Sequence, residues 1–159
     1  MQLLSQTEWG ELDYLIVDTP PGTGDVQLTL LQRIPLTSAV VVTTPQKVSI
    51  SDCKKGIEMI NKLDVPISGL IENMSWFQPD SMEKKYYLFG KDGGKELAKE
   101  YSLDLLAQLP LVELHEDLDL QNHELLKIEF DNISAKVMDS VKNLKDKRSG
   151  GIPQINITK

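Results

Sequence analysis

A chain of 159 residues with 40% hydrophobic and 26% charged residues is long enough for one soluble globular domain with a single core. Its net charge of −7 disfavours a nucleic-acid-binding role, because phosphate contacts need clustered Lys and Arg. No apolar run approaches the roughly 20 residues that span a bilayer, and the first residues lack the pattern of a signal peptide. The composition predicts a cytoplasmic protein without nucleic-acid or membrane partners, and its single cysteine suits a reducing compartment.

The first predicted strand is Leu12–Val17, a nearly continuous apolar run of the kind that is buried on both faces of a parallel sheet. Apolar residues at helical spacing then predict a helix over Val26–Ile34, with Asp25 as its N-cap. A second apolar run, Ala39–Val42, predicts another buried strand. This part of the chain therefore has the predicted order strand, helix, strand.

The clearest helical pattern follows, with apolar residues at three- and four-residue steps and Ser49 as the predicted cap. Cys53 lies on the apolar face of this helix, so we interpret its thiol as a core group rather than a reactive one. The residues of this face are Ile50, Cys53, Ile57 and Ile60.

Strands and helices continue to alternate at the lengths of βαβ units. This alternation predicts an α/β fold in which a parallel sheet is flanked by helices. One domain is expected over residues 1–148, with a flexible tail at 149–159. The basic run Lys142–Arg148 is interpreted as the solvated end of the last helix. The remaining predicted elements are the strands Val65–Ile71 and Leu105–Leu109 and the helices Asp92–Tyr101 and Ile133–Leu144.

A loop over Ser75–Gly90 carries four aromatic residues. Two interpretations of them stay open: they form a contact patch for a partner, or they pack within the loop. The residues are Trp76, Phe77, Tyr86 and Tyr87.

Polar residues follow each predicted strand, at the end where ligands of parallel α/β sheets bind. Asp18 ends the first strand, where a carboxylate can orient the water shell of Mg²⁺, although Asp is also a common turn former. The flexible backbone of Gly22 and Gly24, followed by Asp25, either follows a terminal phosphate or forms an ordinary turn before a helix.

Five motifs in order along residues 1–120 carry a family resemblance. The longest, Leu12-Asp-Tyr-Leu-Ile-Val-Asp18-Thr-Pro-Pro-Gly-Thr-Gly-Asp25, resembles the switch II region of the Mrp/ApbC iron–sulfur cluster carriers. That family belongs to the deviant Walker P-loop ATPases, alongside MinD and ParA. The other motifs are Val40–Gln46, Gly69–Ser75, Leu88–Gly94 and the Gln108-Leu-Pro-Leu111 segment with the Glu116-Asp-Leu-Asp119 that follows it.

The resemblance implies a site for ATP and Mg²⁺. Asp18 is then the Walker B aspartate, which acts on Mg²⁺ through water. The catalytic switch II positions are Gly22, Gly24 and Asp25, which sense the γ-phosphate.

The base of the nucleotide is implied to lie elsewhere along the chain. Asn73 and the Pro110-Leu111 segment resemble the positions that hold adenine in these ATPases, and Gln46 is grouped with them as cofactor-binding. An Asn amide suits this role because it both donates and accepts hydrogen bonds.

Two departures from the family limit this picture. The family's Walker A strand and its Lys-Gly-Gly-Val-Gly-Lys loop have no counterpart in this sequence, so the P-loop NTPase fold is predicted to be incomplete. Pro79 and Met82 occupy the two places of the Cys-x-x-Cys pair that bridges a 4Fe–4S cluster in the family. We therefore expect neither ATP turnover by this chain alone nor a cluster bridged in the usual way.

Two hypotheses for function follow. The first is the C-terminal part of an ATP-dependent iron–sulfur cluster carrier, which works as a homodimer and serves iron–sulfur client proteins. The second is a non-catalytic remnant or split-gene module that docks on a complementary ATPase half. Under either one, the sheet without its Walker A strand is expected to leave unpaired strand edges and marginal stability.

Overall fold

The protein has an α/β fold in which helices pack on both faces of a three-stranded parallel sheet, which confirms the predicted fold class. The computed structural model describes residues 6–20, 24–79, 84–112 and 124–148. In chain order the elements are α1 (Asp25–Arg33), β1 (Ala39–Thr43), α2 (Lys47–Lys62), β2 (Ile67–Glu72), α3 (Gly93–Glu100), β3 (Leu105–Gln108) and α4 (Glu124–Arg148).

The sheet has the order β1-β2-β3, and all three strands run parallel. At its carboxyl edge Thr43 pairs with Glu72, and Glu72 pairs with Gln108. The three strands therefore end side by side, and the loops that follow them start from one edge of the sheet.

Two apolar clusters cover the faces of the sheet. Leu70 of β2 packs with Ile57 of α2 and Leu97 of α3 on one face. The next residue, Ile71, points to the opposite face, where it packs in a cluster with Ile133 of α4. This alternation fixes the sheet between α2 and α3 on one side and α4 on the other.

The predicted strand Leu12–Val17 is wrong for this structure. The segment lies in the described range but belongs to no strand, and Ile16 is 90% exposed. An apolar run becomes a strand only where a neighbouring strand pairs with it and both faces are covered. β1 pairs with β2 on one side, and among the described residues no strand joins its other edge.

Several element ends also differ from the predicted ones. Gly24, not Asp25, is the N-cap of α1, and Gln46, not Ser49, is the N-cap of α2. The hydroxyl of Ser49 instead accepts a hydrogen bond of 2.9 Å from Thr44 inside the first turn. The last helix starts at Glu124 rather than Ile133, because its apolar face already begins at the buried Leu126.

No helix in the described ranges is long and apolar enough to cross a membrane. The predicted tail at 149–159, the Glu116-Asp-Leu-Asp119 segment and Gly22 lie outside the described residues.

Gly69 provides a test of the packing between β2 and β3. A Cβ atom at this position would lie 2.6 Å from Leu106 Cγ and 2.7 Å from the Asp104 carbonyl oxygen. We predict that Gly69→Ala lowers the free energy of unfolding by about 1–3 kcal/mol, as overpacked cores do.

Gly56→Ala is the matched control, because Gly56 lies inside α2 and nothing lies within 4 Å of its added Cβ. It is expected to raise stability by about 0.5–1 kcal/mol, the gain of Ala over Gly in a helix. Urea denaturation followed by circular dichroism measures both variants, and equal stabilities would contradict the packing described for Gly69.

Candidate functional site

Hydrogen bonds connect the loops that leave the carboxyl edge of the sheet. The backbone N–H of Asn73 donates a hydrogen bond to the Thr43 carbonyl oxygen at 2.7 Å, which joins the loop after β2 to the end of β1. Leu109 N donates to the Glu72 carbonyl oxygen and Ser75 N donates to the Leu109 carbonyl oxygen, both at 2.8 Å. The loops after β2 and β3 therefore form one connected layer beyond the strand ends.

Asn73 lies half-buried in this layer. Its side-chain oxygen accepts a 2.9 Å hydrogen bond from the Met74 amide, and Met74 adopts a left-handed conformation with φ of 55°. This bond fixes the orientation of the Asn73 side chain. Among the described residues its amide nitrogen donates to no acceptor, so it can donate to a ring nitrogen of a bound base.

Pro110 and Leu111 lie beside this loop. The Leu111 amide donates to the Trp76 carbonyl oxygen at 2.7 Å, and Leu111 forms a parallel bridge with Phe77. Pro110 is buried and Leu111 is half-buried. Because Leu109 is hydrogen-bonded to Glu72, the residues that follow each of them, Pro110 and Asn73, start from neighbouring strand ends.

Glu72 is one of the polar residues that follow the predicted strands, but the sequence did not predict its role. Its side chain is 0% exposed, and the carboxylate accepts hydrogen bonds from Ser75 Oγ and Gln108 Nε2, each at 2.8 Å, and from the Gly94 amide. No Lys or Arg of the described ranges lies within ion-pair distance of it. The signal in the sequence was a charged residue that ends an otherwise apolar strand.

Two glycines at the start of α3 allow the close contacts of this region. A Cβ at Gly94 would lie 2.9 Å from Glu72 Cβ, and a Cβ at Gly93 would lie 2.7 Å from the Pro45 carbonyl oxygen. The start of α3 therefore packs against both β2 and the loop after β1. Gln46, the next residue of that loop, is exposed.

The predicted phosphate and metal residues lie in a different setting. Asp18 is exposed in an irregular segment outside the sheet, rather than at the tip of a buried strand. Asp25 is the exposed first residue of α1, and Gln27 of this helix donates to Thr19 Oγ1 at 3.4 Å and to the Pro20 carbonyl oxygen. The roles of Asp18, Gly24 and Asp25 remain predictions, as does that of Gly22.

The only cysteine has the predicted structural role. Cys53 packs against the core cluster around Ile57, and its Sγ donates to the Val42 carbonyl oxygen at 3.5 Å. Within the part of the chain that the structure describes, no group of three or more His, Cys, Asp or Glu side chains is arranged to hold a metal ion. Pro79 is half-buried, and Met82 lies outside the described residues.

Comparison with known proteins gives consistent matches. A ParA family model described as NUBPL iron-transfer P-loop NTPase matches residues 1–145. The iron-sulfur cluster carrier protein of Haemophilus influenzae is 46% identical over 134 residues, which are 84% of this chain and 36% of that protein. The iron-sulfur cluster transfer protein NUBPL of Mus musculus is 51% identical over 110 residues, 69% of this chain and 34% of that protein.

A solved structure also matches. The nucleotide-binding protein of Archaeoglobus fulgidus, in complex with ADP, has a TM-score of 0.63 and 36% sequence identity. The match covers 80% of this chain and 51% of that one. This chain thus spans about a third of the curated relatives reported above and half of the solved neighbour.

The carboxylate of Glu72 is expected to be important for stability. In Glu72→Ala the buried Gly94 amide loses its acceptor, and Ser75 and Gln108 each lose one bond. We predict a loss of about 2–4 kcal/mol in the free energy of unfolding, since one orphaned buried donor alone costs about 1–3 kcal/mol. Glu58→Ala, on the exposed side of α2, is the control and should stay within about 0.5 kcal/mol of the wild type. Equal losses in the two variants, measured by urea denaturation, would contradict this role.

Proposed function

The chain belongs to the NUBPL iron-transfer family of P-loop NTPases, and we propose that it is the C-terminal part of an ATP-dependent iron–sulfur cluster carrier. The observation that carries this proposal is the position of Asn73 beside Pro110 and Leu111, at the sheet edge where ligands of parallel α/β folds bind. The relatives described above are iron–sulfur cluster carrier and transfer proteins, and this supports the same activity. The proposed compartment is the cytoplasm.

In this proposal the chain supplies one end of the nucleotide site. Asn73 donates to the base, while Pro110 and Leu111 provide an apolar contact for it. Gln46 is a further proposed contact to the nucleotide, and it lies in the loop after β1 that packs against α3. These residues select and orient the base, and they lie on the sheet scaffold, where their backbone is fixed by hydrogen bonds.

The phosphate end is proposed to depend on Asp18 and the switch II residues. Asp18 accepts hydrogen bonds from the water shell of Mg²⁺, and Gly22, Gly24 and Asp25 follow the γ-phosphate. Mg²⁺, when bound, offsets the charge of the phosphates. A phosphate cradle also needs backbone N–H groups and lysines of a Walker A loop, which this sequence does not contain. ATP hydrolysis therefore requires residues from outside this chain.

The iron–sulfur cluster is the proposed cargo, passed to client proteins by a homodimer. A thiolate pair from this chain is not available to hold it, because Cys53 is the single cysteine and packs against the core. The cluster ligands are therefore proposed to come from outside these 159 residues.

The alternative is a module that docks on a complementary ATPase half. Its support is the open edge of β1 and the exposed apolar segment Leu12–Val17, together with Val40 and Val42, which are 37% and 56% exposed on the face of β1 opposite the buried Val41. Such a surface favours association by strand addition. Reading the coding sequence upstream of Met1 separates the two: an in-frame Walker A loop supports the carrier part, and a stop codon supports the module.

The first prediction for the proposed function concerns nucleotide affinity. Because the base end is present and the phosphate cradle is not, AMP, ADP and ATP are expected to bind this chain within about threefold of one another. Their Kd should be near ~1 mM, about −4 kcal/mol. Heteronuclear NMR titration measures these affinities, and Mg²⁺-dependent ATP turnover should be undetectable.

Asn73→Ala should remove the titration shifts, because the base loses its polar contact. Asn132→Ala, an exposed amide on α4, is the matched control and should bind as the wild type does. Micromolar ATP binding, or ATP turnover by the purified chain, would contradict the proposal that this chain holds the base end of the site and lacks the phosphate cradle. Equal binding by the Asn73 and Asn132 variants would contradict the base site itself.

A second prediction concerns the exposed strand-forming surface. We expect the isolated chain to self-associate at high concentration, since an unpaired edge and an exposed apolar segment favour pairing. Ile16→Lys and Val42→Lys should each increase the monomer fraction in size-exclusion chromatography with light scattering. Val48→Lys is the control, because Val48 is 73% exposed but lies on α2. A monomeric wild type with a sharp thermal transition would count against the incomplete sheet.

A further inference from the structure

We infer that Glu72 is the positioning residue of the base site: its carboxylate holds the loops that carry Asn73 and Pro110 in the arrangement that receives a nucleotide base. The inference deepens the proposed function and rests on it. Its basis is that one fully buried carboxylate contacts three separate parts of the chain, all of them at the edge where the proposed base site lies.

The first contact closes the turn that carries Asn73. The single hydroxyl proton of Ser75 is shared between two acceptors, the Glu72 carboxylate at 2.8 Å from Oγ and the Glu72 carbonyl oxygen at 2.9 Å. Asn73 and Met74 lie between these two joined residues. The hydroxyl of Ser75 therefore limits the conformations of the turn, including the left-handed conformation of Met74 that places its amide on the Asn73 side chain.

The second contact reaches β3. Gln108 Nε2 donates to the same carboxylate oxygen as Ser75 Oγ, at 2.8 Å, and also lies 3.4 Å from Asp92 Oδ1. Gln108 is the last residue of β3, two residues before Pro110. Leu109 N also donates to the Glu72 carbonyl oxygen, and Ser75 N donates to the Leu109 carbonyl oxygen, so both backbone and side-chain bonds hold the end of β3 against the Asn73 turn.

The third contact reaches the start of α3. The other carboxylate oxygen accepts from the Gly94 amide, one of the first N–H groups of this helix, which no carbonyl of the helix itself can satisfy. The positive end of the helix dipole favours a carboxylate at this place. Gly93 in turn contacts the Pro45 loop, so the loop that carries Gln46 is held in the same arrangement.

The chemistry of the three partners explains why the residue is an acid. Every side-chain contact of Glu72 is a donor, and a carboxylate accepts at both oxygens. An apolar side chain of equal length accepts none of them and leaves the Gly94 amide without a partner. A glutamine side chain at position 72 accepts a hydrogen bond from the Gly94 backbone amide with its oxygen. Its NH₂ group donates to the Gln108 side-chain oxygen once the Gln108 amide group has flipped. Glu72→Gln is therefore the conservative variant and Glu72→Met the disruptive one.

The test compares these two variants by NMR titration with AMP at a temperature at which circular dichroism shows each to be folded. We expect Glu72→Met to raise the Kd for AMP at least tenfold and Glu72→Gln to stay within about threefold of the wild type. Glu58→Met, the same change at an exposed position of α2, should leave the Kd unchanged. If Glu72→Met does not fold, Ser75→Ala replaces it, with an expected three- to tenfold rise in Kd, because it opens the Asn73 turn but keeps the carboxylate.

A spectroscopic readout tests the geometry without a nucleotide. The Gly94 amide proton should resonate downfield in the wild type, because it donates to a carboxylate, and should move upfield in Glu72→Met. A wild-type Kd for AMP in folded Glu72→Met or in Ser75→Ala, with binding still lost in Asn73→Ala, would overturn the inference alone. Absence of AMP binding by the wild type would overturn the proposed function, and the inference with it.

Discussion

The buried carboxylate of Glu72 is the interaction on which the edge of the sheet depends. Burying a carboxylate without a counter-ion is unfavourable unless hydrogen-bond donors replace the lost water. Here the donors come from the turn after β2, the end of β3 and the first residues of α3. Since each of these segments is required to satisfy the same group, their relative positions are coupled, and this coupling also fixes the residues of the proposed base site.

The described part of the chain before β1 is not held by contacts to Glu72. The segment Leu12–Val17 and the helix α1 contain no residue of the buried core, and Asp18 lies between them in solvent. The sequence of Leu12–Val17 is nevertheless mostly apolar, which indicates a segment suited to burial. The molecule thus combines a well-packed sheet with a segment whose sequence is suited to a strand but whose pairing partner is missing from the described sheet.

Local pattern predicted the sheet well where pairing was available. Val40, Val41 and Val42 form a short β-branched run, and the structure places them in β1. The same reasoning failed for Leu12–Val17. A hydrophobic run indicates that a segment is suited to burial, but it does not indicate whether a strand is present to pair with it. The base site was predicted from family resemblance, as position alone would not distinguish Asn73 from any polar residue after a strand.

For Glu72 the sequence marks a charged residue at the end of an apolar strand, but it does not indicate which groups the carboxylate contacts. Its partners Gly94 and Gln108 are 22 and 36 residues away, so the contact exists only after the chain has folded. The close approach of Gly94 was likewise invisible, since a glycine near a helix start is ordinary in any sequence. Non-local hydrogen bonds of this kind carry no periodicity, and periodicity is what sequence patterns report.

The two ends of the proposed nucleotide site therefore differ in how they form. The residues of the proposed base end are held by hydrogen bonds at the sheet edge in the chain alone. Asp18 reaches the carboxyl edge only if Leu12–Val17 becomes a strand, and that requires a strand between it and the free edge of β1, or direct pairing with that edge. Under the proposed function, the Asp18 carboxylate reaches its metal-binding position when the sheet is completed. An incomplete carrier then holds a base weakly without acting on its phosphates, because the residues that distinguish ATP from AMP come together only with the missing strand.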